Sequence, residues 1–349
     1  MQEAAIRSRG PALLGALPPA LLMPGQGAQY PGMGTGLYQR LPAFAALVDG
    51  VFEIMGRAGD ELRSDWLAAD PVLPLEHVLR SQPLLFAIDY ALGRLLLDLG
   101  LRPAVMLGHS VGELAAATLA GVFDLDGAVR FLCARGRHLA RAPAGGMIAV
   151  AASREQVVPY LQPGADIGAI NAPRQTVVAG HGGPLRATAV ALRGAGFAVA
   201  PVFSLTPFHS SALEPVVGAI RRALSGTAMR APAIAMVSGY TARHLADAEA
   251  VDPMYWARHD TDPVLYWPAL EALLADGPHL LIECGPGQGL TTLARRHPDV
   301  RAGRCEVLSL LGSGASGPGG EARQFAAAVE RFGSACRPLP LKLPRGTVE

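Results

Sequence analysis

The spacing of hydrophobic residues predicts two kinds of structure along the chain. Short apolar runs at 20–23, 105–107 and 280–282 each end in a glycine-containing turn, which is typical of buried strands. Two longer stretches, 36–60 and 81–99, place apolar residues at helical intervals. Short buried strands that alternate with amphipathic helices predict an α/β domain with a parallel sheet.

A different pattern occupies residues 144–204. Apolar segments predict strands at 147–151, 167–170, 176–179 and 197–203, and helices at 154–161 and 185–192. This β-α-β-β-α-β order is typical of a ferredoxin-like unit. Because α/β segments resume afterwards, we predict a small domain inserted into a large one, which is formed by 18–143 and 205–311. The glycine- and serine-rich segment 312–320 predicts a linker, followed by a short helix at about 321–334 and a tail to residue 349.

Composition narrows the class of protein. Half of the 349 residues are hydrophobic and 17% are charged, which excludes general disorder. The net charge of +1 gives no bulk attraction to nucleic acid or anionic membranes. The apolar stretch 11–23 follows two arginines, as in a signal peptide, but three prolines interrupt it. We therefore expect a soluble cytoplasmic protein.

The cysteines give no sign of a metal site or a disulfide framework. The four cysteines are widely separated and form no C-x-x-C pair. They are Cys133, Cys284, Cys305 and Cys336. A reducing compartment fits this usage.

The sharpest chemical signal is the G-x-S-x-G motif at residues 108–112, between a predicted strand and a predicted helix. Glycines two residues from Ser110 on either side remove Cβ atoms that would clash in a tight turn. The free N–H groups at the start of the helix can face a developing oxyanion. The motif also occurs in ordinary strand–helix turns, but with both flanking elements in register it predicts a nucleophile at Ser110.

A serine nucleophile needs a base, and the chain has nine histidines. His109 adjoins Ser110, but neighbouring side chains on such a turn point apart. His209 follows the last strand of the inserted unit, where the chain re-enters the large domain and a cleft is expected. Spacing alone does not decide among the histidines.

Seven motif blocks, in this order along the chain, resemble an acyltransferase family. They are PGQGAQ (24–29), GHSVGE (108–113), RG (135–136), GGM (145–147), NAP (171–173), FHS (208–210) and ECGPG (283–287). Across roughly residues 18–310 the chain resembles malonyl-CoA:acyl-carrier-protein transacylases and the acyltransferase domains of polyketide synthases. The resemblance implies a large α/β-hydrolase-like domain with an inserted ferredoxin-like domain. Since no ketosynthase or carrier sequence is attached, we expect a free-standing, trans-acting enzyme.

The resemblance implies a role for each matched position. Ser110 would become acylated, and His209 would be its general base. The backbone carbonyl of His259 would orient the imidazole, which fixes the useful tautomer. The backbone N–H groups of Gln26 and Val111 would form the oxyanion hole.

The resemblance also implies residues that choose the acyl group. Arg135 lies 25 residues after Ser110 and would bind the free carboxylate of a malonyl group. Phe208 would crowd an α-branch, which favours malonyl over methylmalonyl, although the preceding Thr206-Pro207 departs from the family pattern. Asn171 would line the acyl or pantetheine channel. Without the resemblance, Arg135 would be a solvated helix residue and Asn171 a turn residue.

These roles predict transfer of malonyl from CoA to the phosphopantetheine thiol of an acidic acyl carrier protein, in polyketide or fatty-acid biosynthesis. No metal or redox cofactor is expected, because the thioester is already activated. A basic rim for the carrier is the weakest part of this prediction, because a scattered solvated surface explains its residues equally well. Those residues are Arg258, Arg295, Arg296, Arg301 and Arg304.

Four alternatives stay open from the sequence. The first is a transacylase that moves a larger or non-carboxylated acyl group between carrier proteins and does not use Arg135. The second is a proofreading acyl hydrolase, and the third a catalytically silent docking module. A conventional esterase is the least favoured, because its histidine normally lies near the C-terminal end and it lacks the inserted unit.

Overall fold

The computed structural model describes residues 17–331 apart from Ser313, Ala315 and Ser316. The predicted tail beyond residue 331, Cys336 and most of the segment that resembles a signal peptide lie outside the described residues.

The described chain contains nine strands and fifteen α-helices. The strands are β1 (Pro19–Met23), β2 (Val105–Gly108), β3 (Gly145–Val150), β4 (Ala165–Ala172), β5 (Gln175–His181), β6 (Val199–Val202), β7 (Ala235–Val237), β8 (Leu280–Glu283) and β9 (Glu306–Ser309). The helices are α1 (Thr35–Arg40), α2 (Pro42–Met55), α3 (Arg57–Leu67), α4 (Val78–Asp98), α5 (Val111–Leu119), α6 (Leu125–Leu139), α7 (Arg154–Val157), α8 (Gly182–Gly194), α9 (Glu214–Ala223), α10 (Asp247–Ala250), α11 (Pro253–Ala257), α12 (Tyr266–Ala275), α13 (Gly289–Ala294), α14 (Pro298–Arg301) and α15 (Gly317–Arg331).

The large domain is built on a five-stranded parallel sheet in the order β7-β2-β1-β8-β9. Strand β1 is central, and its Ala20 pairs with Val105 of β2 and Leu281 of β8. All three strands are almost wholly buried, as expected for a parallel sheet that helices cover on both faces. Their carboxyl ends meet at one edge, where α/β proteins place their ligands. The turns after β1, β2 and β8 therefore share one site.

The inserted unit forms the predicted ferredoxin-like sheet. Its four strands are antiparallel in the order β4-β5-β3-β6, with α7 between β3 and β4 and α8 between β5 and β6. Strand β4 also touches the large domain, because Ile170 N–H donates to Val264 O at 2.8 Å and Val264 N–H to Gly168 O at 2.9 Å. This contact fixes the small sheet beside the carboxyl edge of the large one.

The helical prediction for 36–60 is confirmed, and one other prediction needs correction. The stretch 36–60 forms parts of three helices, because the chain breaks at Leu41-Pro42 and at Gly56, whose φ is 62°. The predicted linker 312–320 is wrong in its last four residues, which form the first turn of α15.

The buried carboxylate of Glu321 anchors the start of α15. It accepts the N–H groups of Gly34 at 2.9 Å and Gly36 at 3.2 Å, and also the hydroxyl of Tyr30. The carboxylate thereby ties α15 to α1 and to the loop that follows β1.

Within the described part of the chain, no helix combines the length and the hydrophobicity needed to cross a membrane. The thiols of Cys133, Cys284 and Cys305 are free.

Candidate active site

Ser110 lies on a strained turn between β2 and α5. Its φ is 54°, a left-handed conformation that costs a non-glycine residue on the order of 1–3 kcal/mol. The flanking glycines make the turn possible. A Cβ on Gly108 would lie 2.2 Å from Glu113 Cα, and one on Gly112 would lie 2.2 Å from Met23 O. The turn places Ser110 at the N-terminus of α5, facing a cavity.

His209 is the base that the structure brings to Ser110. Its Nε2 lies 2.9 Å from Ser110 Oγ, although the two residues are 99 positions apart. Its Nδ1 lies 3.0 Å from the backbone carbonyl of Asp262, and its backbone N–H donates to Asp260 O at 2.6 Å. A carbonyl can only accept, so the neutral ring carries its proton on Nδ1. Nε2 is then free to accept the Ser110 proton.

The main acceptor for His209 Nδ1 is the Asp262 carbonyl, three residues beyond the predicted His259 carbonyl, whose hydrogen bond raises the pKa of His209 by a smaller amount. After α11, the N–H groups of Thr261 and Asp262 both donate to Arg258 O, which tightens the turn and aims the Asp262 carbonyl at the ring. The Arg258 side chain also holds the Asp262 carboxylate at 2.7 Å. The ring of His259 instead stacks on Tyr240, with centroids 3.9 Å apart.

The surroundings of His209 favour its neutral form. The pKa of His209 is lowered from 6.5 to about 3, chiefly by burial and in smaller part by charge repulsion from His109 and Arg135. The hydrogen bond to the Asp262 carbonyl acts in the opposite direction. His209 is therefore unprotonated at neutral pH and available as a proton acceptor.

This shift of the His209 pKa predicts an unusual pH profile. We expect the rate of Ser110 acylation to show no inflection near pH 6.5, and to fall only as the pH approaches about 3. Single-turnover acylation, quenched between about pH 4 and pH 8, measures this directly. An inflection near 6.5 in folded protein would contradict it.

The lowered pKa of His209 also makes the stability of the fold depend on pH, so the pH profile needs a control for unfolding. Since the pKa of folded His209 lies below that of the unfolded chain, the unfolded state takes up the proton first as the pH falls. The contribution to stability is present above about pH 6.5 and is lost progressively toward about pH 3. Circular dichroism at each pH separates this loss of folded protein from loss of catalysis.

Two backbone donors lie beside Ser110. Val111 is the first residue of α5, so its N–H has no acceptor within the helix. Within residues 17–331 as described, no hydrogen bond uses the N–H of Val111 or of Gln26. The Gln26 loop approaches closely because residue 25 is glycine, whose Cβ would lie 2.2 Å from His109 O. Both predicted oxyanion donors are thus available at the site.

Arg135 does not have the free guanidinium that its predicted role requires. Its Nε and Nη2 donate to the two carboxylate oxygens of Asp260, each at 2.9 Å. Arg135 is 1% exposed and Asp260 0%. The segment that orients His209 therefore also neutralises Arg135, a contact that no sequence pattern indicates.

Phe208 and Asn171 both line the cavity that Ser110 faces, which has a volume of about 660 Å³. Phe208 is buried, with its ring centroid 6.2 Å from that of His209. Asn171, on β4, accepts a hydrogen bond from His109 Nε2 at 2.9 Å. Both predicted positions thus lie at the site. A larger cavity, of about 850 Å³, contains none of these residues.

Two further buried groups surround the nucleophile. Glu113 accepts the Gly239 N–H at 2.7 Å and the Tyr255 hydroxyl, and burial raises its pKa to about 8. An acid in the otherwise apolar α5 was the only sequence signal for it. The Tyr240 hydroxyl is buried and has no hydrogen-bond partner of good geometry among the described residues. Its ring lies 6.0 Å from that of His209, and no sequence pattern pointed to it.

The predicted basic rim is only partly available. Arg258 pairs with Asp262 and Glu214, and Arg304 pairs with Asp299. Arg296 lines the cavity and donates to Gln175 Oε1 at 2.9 Å. Of the five arginines, Arg296 alone both lines the cavity and keeps an exposed position in the described chain.

Comparisons with known proteins show the family and the fold. The sequence profile of the family described as "Acyl transferase domain" matches residues 21–330. A phenolphthiocerol/phthiocerol polyketide synthase of Mycobacterium tuberculosis is 39% identical over 281 residues, which are 79% of this chain and 19% of that protein. The chain thus spans about a fifth of the length of that relative.

Two solved structures show the same fold. The crystal structure of the acyl transferase domain of SpnD, in complex with 2-(pent-4-yn-1-yl)malonyl, is 31% identical with a TM-score of 0.83, covering 92% of this chain and 77% of that one. A loading acyltransferase from the avermectin modular polyketide synthase is 25% identical with a TM-score of 0.79, covering 90% of this chain and 99% of that one.

Proposed function

Because the chain belongs to the acyl transferase domain family, we propose that it moves an acyl group from a thioester to the phosphopantetheine thiol of an acyl carrier protein, through an ester on Ser110. The observation that carries this proposal is the 2.9 Å contact of Ser110 Oγ with His209 Nε2, in a ring oriented by the Asp262 carbonyl. Nucleophile, base and orienting acceptor form the arrangement that serine acyl transfer requires.

The first half-reaction loads the enzyme. His209 Nε2 takes the Ser110 proton as Oγ attacks the thioester carbonyl, and the N–H groups of Gln26 and Val111 stabilise the oxyanion. The tetrahedral intermediate then collapses, the C–S bond breaks, and the departing thiol receives the proton from His209. Ser110 is left as an ester.

The second half-reaction reverses the roles. The carrier's thiol gives its proton to His209 and attacks the ester carbonyl. The C–O bond breaks, and Ser110 recovers its proton from His209. We propose that neither step uses a metal or redox cofactor, since no electrons are transferred and the thioester is already reactive.

The malonyl donor that the sequence predicts is less well supported than the transfer itself. Malonyl selection was assigned to Arg135, and Asp260 already binds two of the guanidinium nitrogens. The acyl-serine mechanism does not depend on this contact.

A two-stage mass experiment tests the proposal. The protein is mixed with a panel of acyl-CoA thioesters, and intact mass is expected to rise by one acyl group. A phosphopantetheinylated carrier is then added, and the acyl mass should move to it; the same carrier without phosphopantetheine is the control. Loss of the adduct at equal rates with both carriers would instead indicate an acyl hydrolase. Absence of any adduct would reject the proposal.

Arg296 is expected to help dock the acidic carrier. Reversal of its charge in Arg296→Glu should raise KM for the carrier by about tenfold and weaken its salt dependence, with little change in kcat. Steady-state transfer at several salt concentrations measures this effect. Arg301→Glu makes the same charge change at an exposed position that does not line the cavity, and should have little effect.

An uncharged donor completes this test. Acylation of Arg296→Glu by an N-acetylcysteamine thioester, which has no phosphate, should match the original protein. Equal rises in KM for Arg296→Glu and Arg301→Glu would show that only the overall charge matters.

A further inference from the structure

The charge of Arg135 is already matched within the protein. Two parallel N–H···O bonds of 2.9 Å join its Nε and Nη2 to the Asp260 carboxylate, which is the bidentate geometry that a guanidinium offers to a substrate carboxylate. Both side chains are buried. Asp260 therefore occupies the Nε–Nη2 edge of the guanidinium, which is one of the two edges that can bind a carboxylate through two hydrogen bonds, and neutralises its charge.

The pair lies next to the catalytic residues. The backbone carbonyl of Asp260 accepts the His209 N–H at 2.6 Å, and its side chain binds Arg135, so one residue touches both groups. Neither Arg135 nor Asp260 lines the cavity that Ser110 faces, so among the described residues an acyl group on Ser110 finds no free cation where one was predicted.

The remaining surface around Ser110 offers little to a carboxylate. Among the described residues that line the cavity, Arg296 is the only arginine or lysine, and it binds Gln175. Glu283 also lines the cavity, but its buried carboxyl is held by Leu290 and Thr291 and offers no donor to an anion. Most side chains contributed by the small domain are apolar. They are Met147, Ala149, Ala169, Val177 and Val202.

A malonyl carboxylate would therefore be disfavoured in either of two arrangements. If it joined the pair, two carboxylates would share one guanidinium in a buried site, and like charges at short range disfavour ionisation of both. If it displaced Asp260, a buried carboxylate would lose its partner. An uncharged acyl group meets neither obstacle.

We infer that the acyl group carried by Ser110 is an uncharged monocarboxylic one, and that Asp260 is a specificity-determining residue because it occupies Arg135. This inference rests on the proposed function, since it concerns the acyl group of the Ser110 ester. Asp260 acts on the substrate through Arg135.

A pair of donors of matched shape tests the inference on the unaltered protein. Acetoacetyl-CoA has a methyl ketone where malonyl-CoA has its carboxylate, so the two differ mainly in charge; butyryl-CoA is the simple saturated comparison. We expect both uncharged donors to acylate Ser110 at least about tenfold faster than malonyl-CoA, by intact mass in single turnover. Faster loading of malonyl would overturn the inference and leave the proposed function standing. If no donor loads Ser110, the proposed function fails and the inference falls with it.

Two variants test the part played by Asp260. Asp260→Leu frees Arg135 and should shift the malonyl-to-acetoacetyl rate ratio toward malonyl by at least about tenfold. The double variant Arg135→Met/Asp260→Leu has neither charge and should keep the original preference for uncharged donors. If both variants give the ratio of the unaltered protein, Asp260 does not set the choice. The donor comparison on the unaltered protein decides the acyl class even if Asp260→Leu folds poorly.

Discussion

Ser110→Ala is expected to abolish the acyl-enzyme adduct and to lower acyl transfer to the carrier by about 10⁵- to 10⁶-fold. The hydroxyl is the only group that forms the ester, and the oxyanion donors alone cannot replace it. Alanine keeps the Cβ and accepts the same strained backbone as serine at φ 54°, so the fold should be retained. Intact mass after exposure to acyl-CoA and the rate of carrier acylation measure the two effects.

Ser211→Ala is the matched control for Ser110→Ala. Ser211 is exposed and binds the carboxylate of Asp166, away from the nucleophile. Its substitution should leave the adduct and the transfer rate near those of the original protein. An adduct that persists in Ser110→Ala would show that another side chain is acylated.

The second large effect is the contribution of the buried Arg135–Asp260 ion pair to the stability of the folded protein. Arg135→Met or Asp260→Leu alone should lower the free energy of unfolding by about 3–5 kcal/mol, because each leaves a buried charge without its partner. The double variant should recover most of that loss, since two apolar side chains replace the pair. Chemical denaturation of the four proteins gives the coupling free energy directly.

One result of this double-mutant cycle would contradict the predicted coupling between Arg135 and Asp260. If the two single losses simply add in the double variant, the side chains do not interact in solution. The occupation of Arg135 by Asp260, on which the preference for uncharged acyl groups depends, would then be wrong.

Much of the fold follows from local sequence patterns. The short apolar runs predicted β1, β2 and β8, and the change of pattern at residue 144 predicted the ferredoxin-like sheet. The strands β7 and β9 were not predicted, because three or four residues carry too little periodicity. The packing of α15 against α1 includes contacts of Glu321 with residues almost 290 positions away, which no local pattern records.

The candidate site also combines residues that the local sequence could predict with residues that it could not. Ser110 could be predicted because a strained turn needs glycines at fixed positions beside it. His209 could not be chosen by spacing, since 99 residues separate it from Ser110, and the resemblance to a family supplied it. The Asp262 carbonyl was missed because every residue has a backbone carbonyl. Only the three-dimensional geometry of the turn after α11 determines which of them faces the His209 ring. Asp260 lies in a polar sequence that resembles a surface loop, and its partner is 125 residues away.

The anchoring of α15 by Glu321 bears on how the protein can be shortened. The loop that Glu321 holds through Tyr30 and Gly34 begins with the residues that supply the Gln26 donor. Truncation at the glycine-rich segment around residue 312 would look harmless from sequence, yet it would leave two hydrogen-bonding groups of that loop and one of α1 without their common acceptor. A minimal active fragment is therefore expected to retain the part of α15 that carries Glu321.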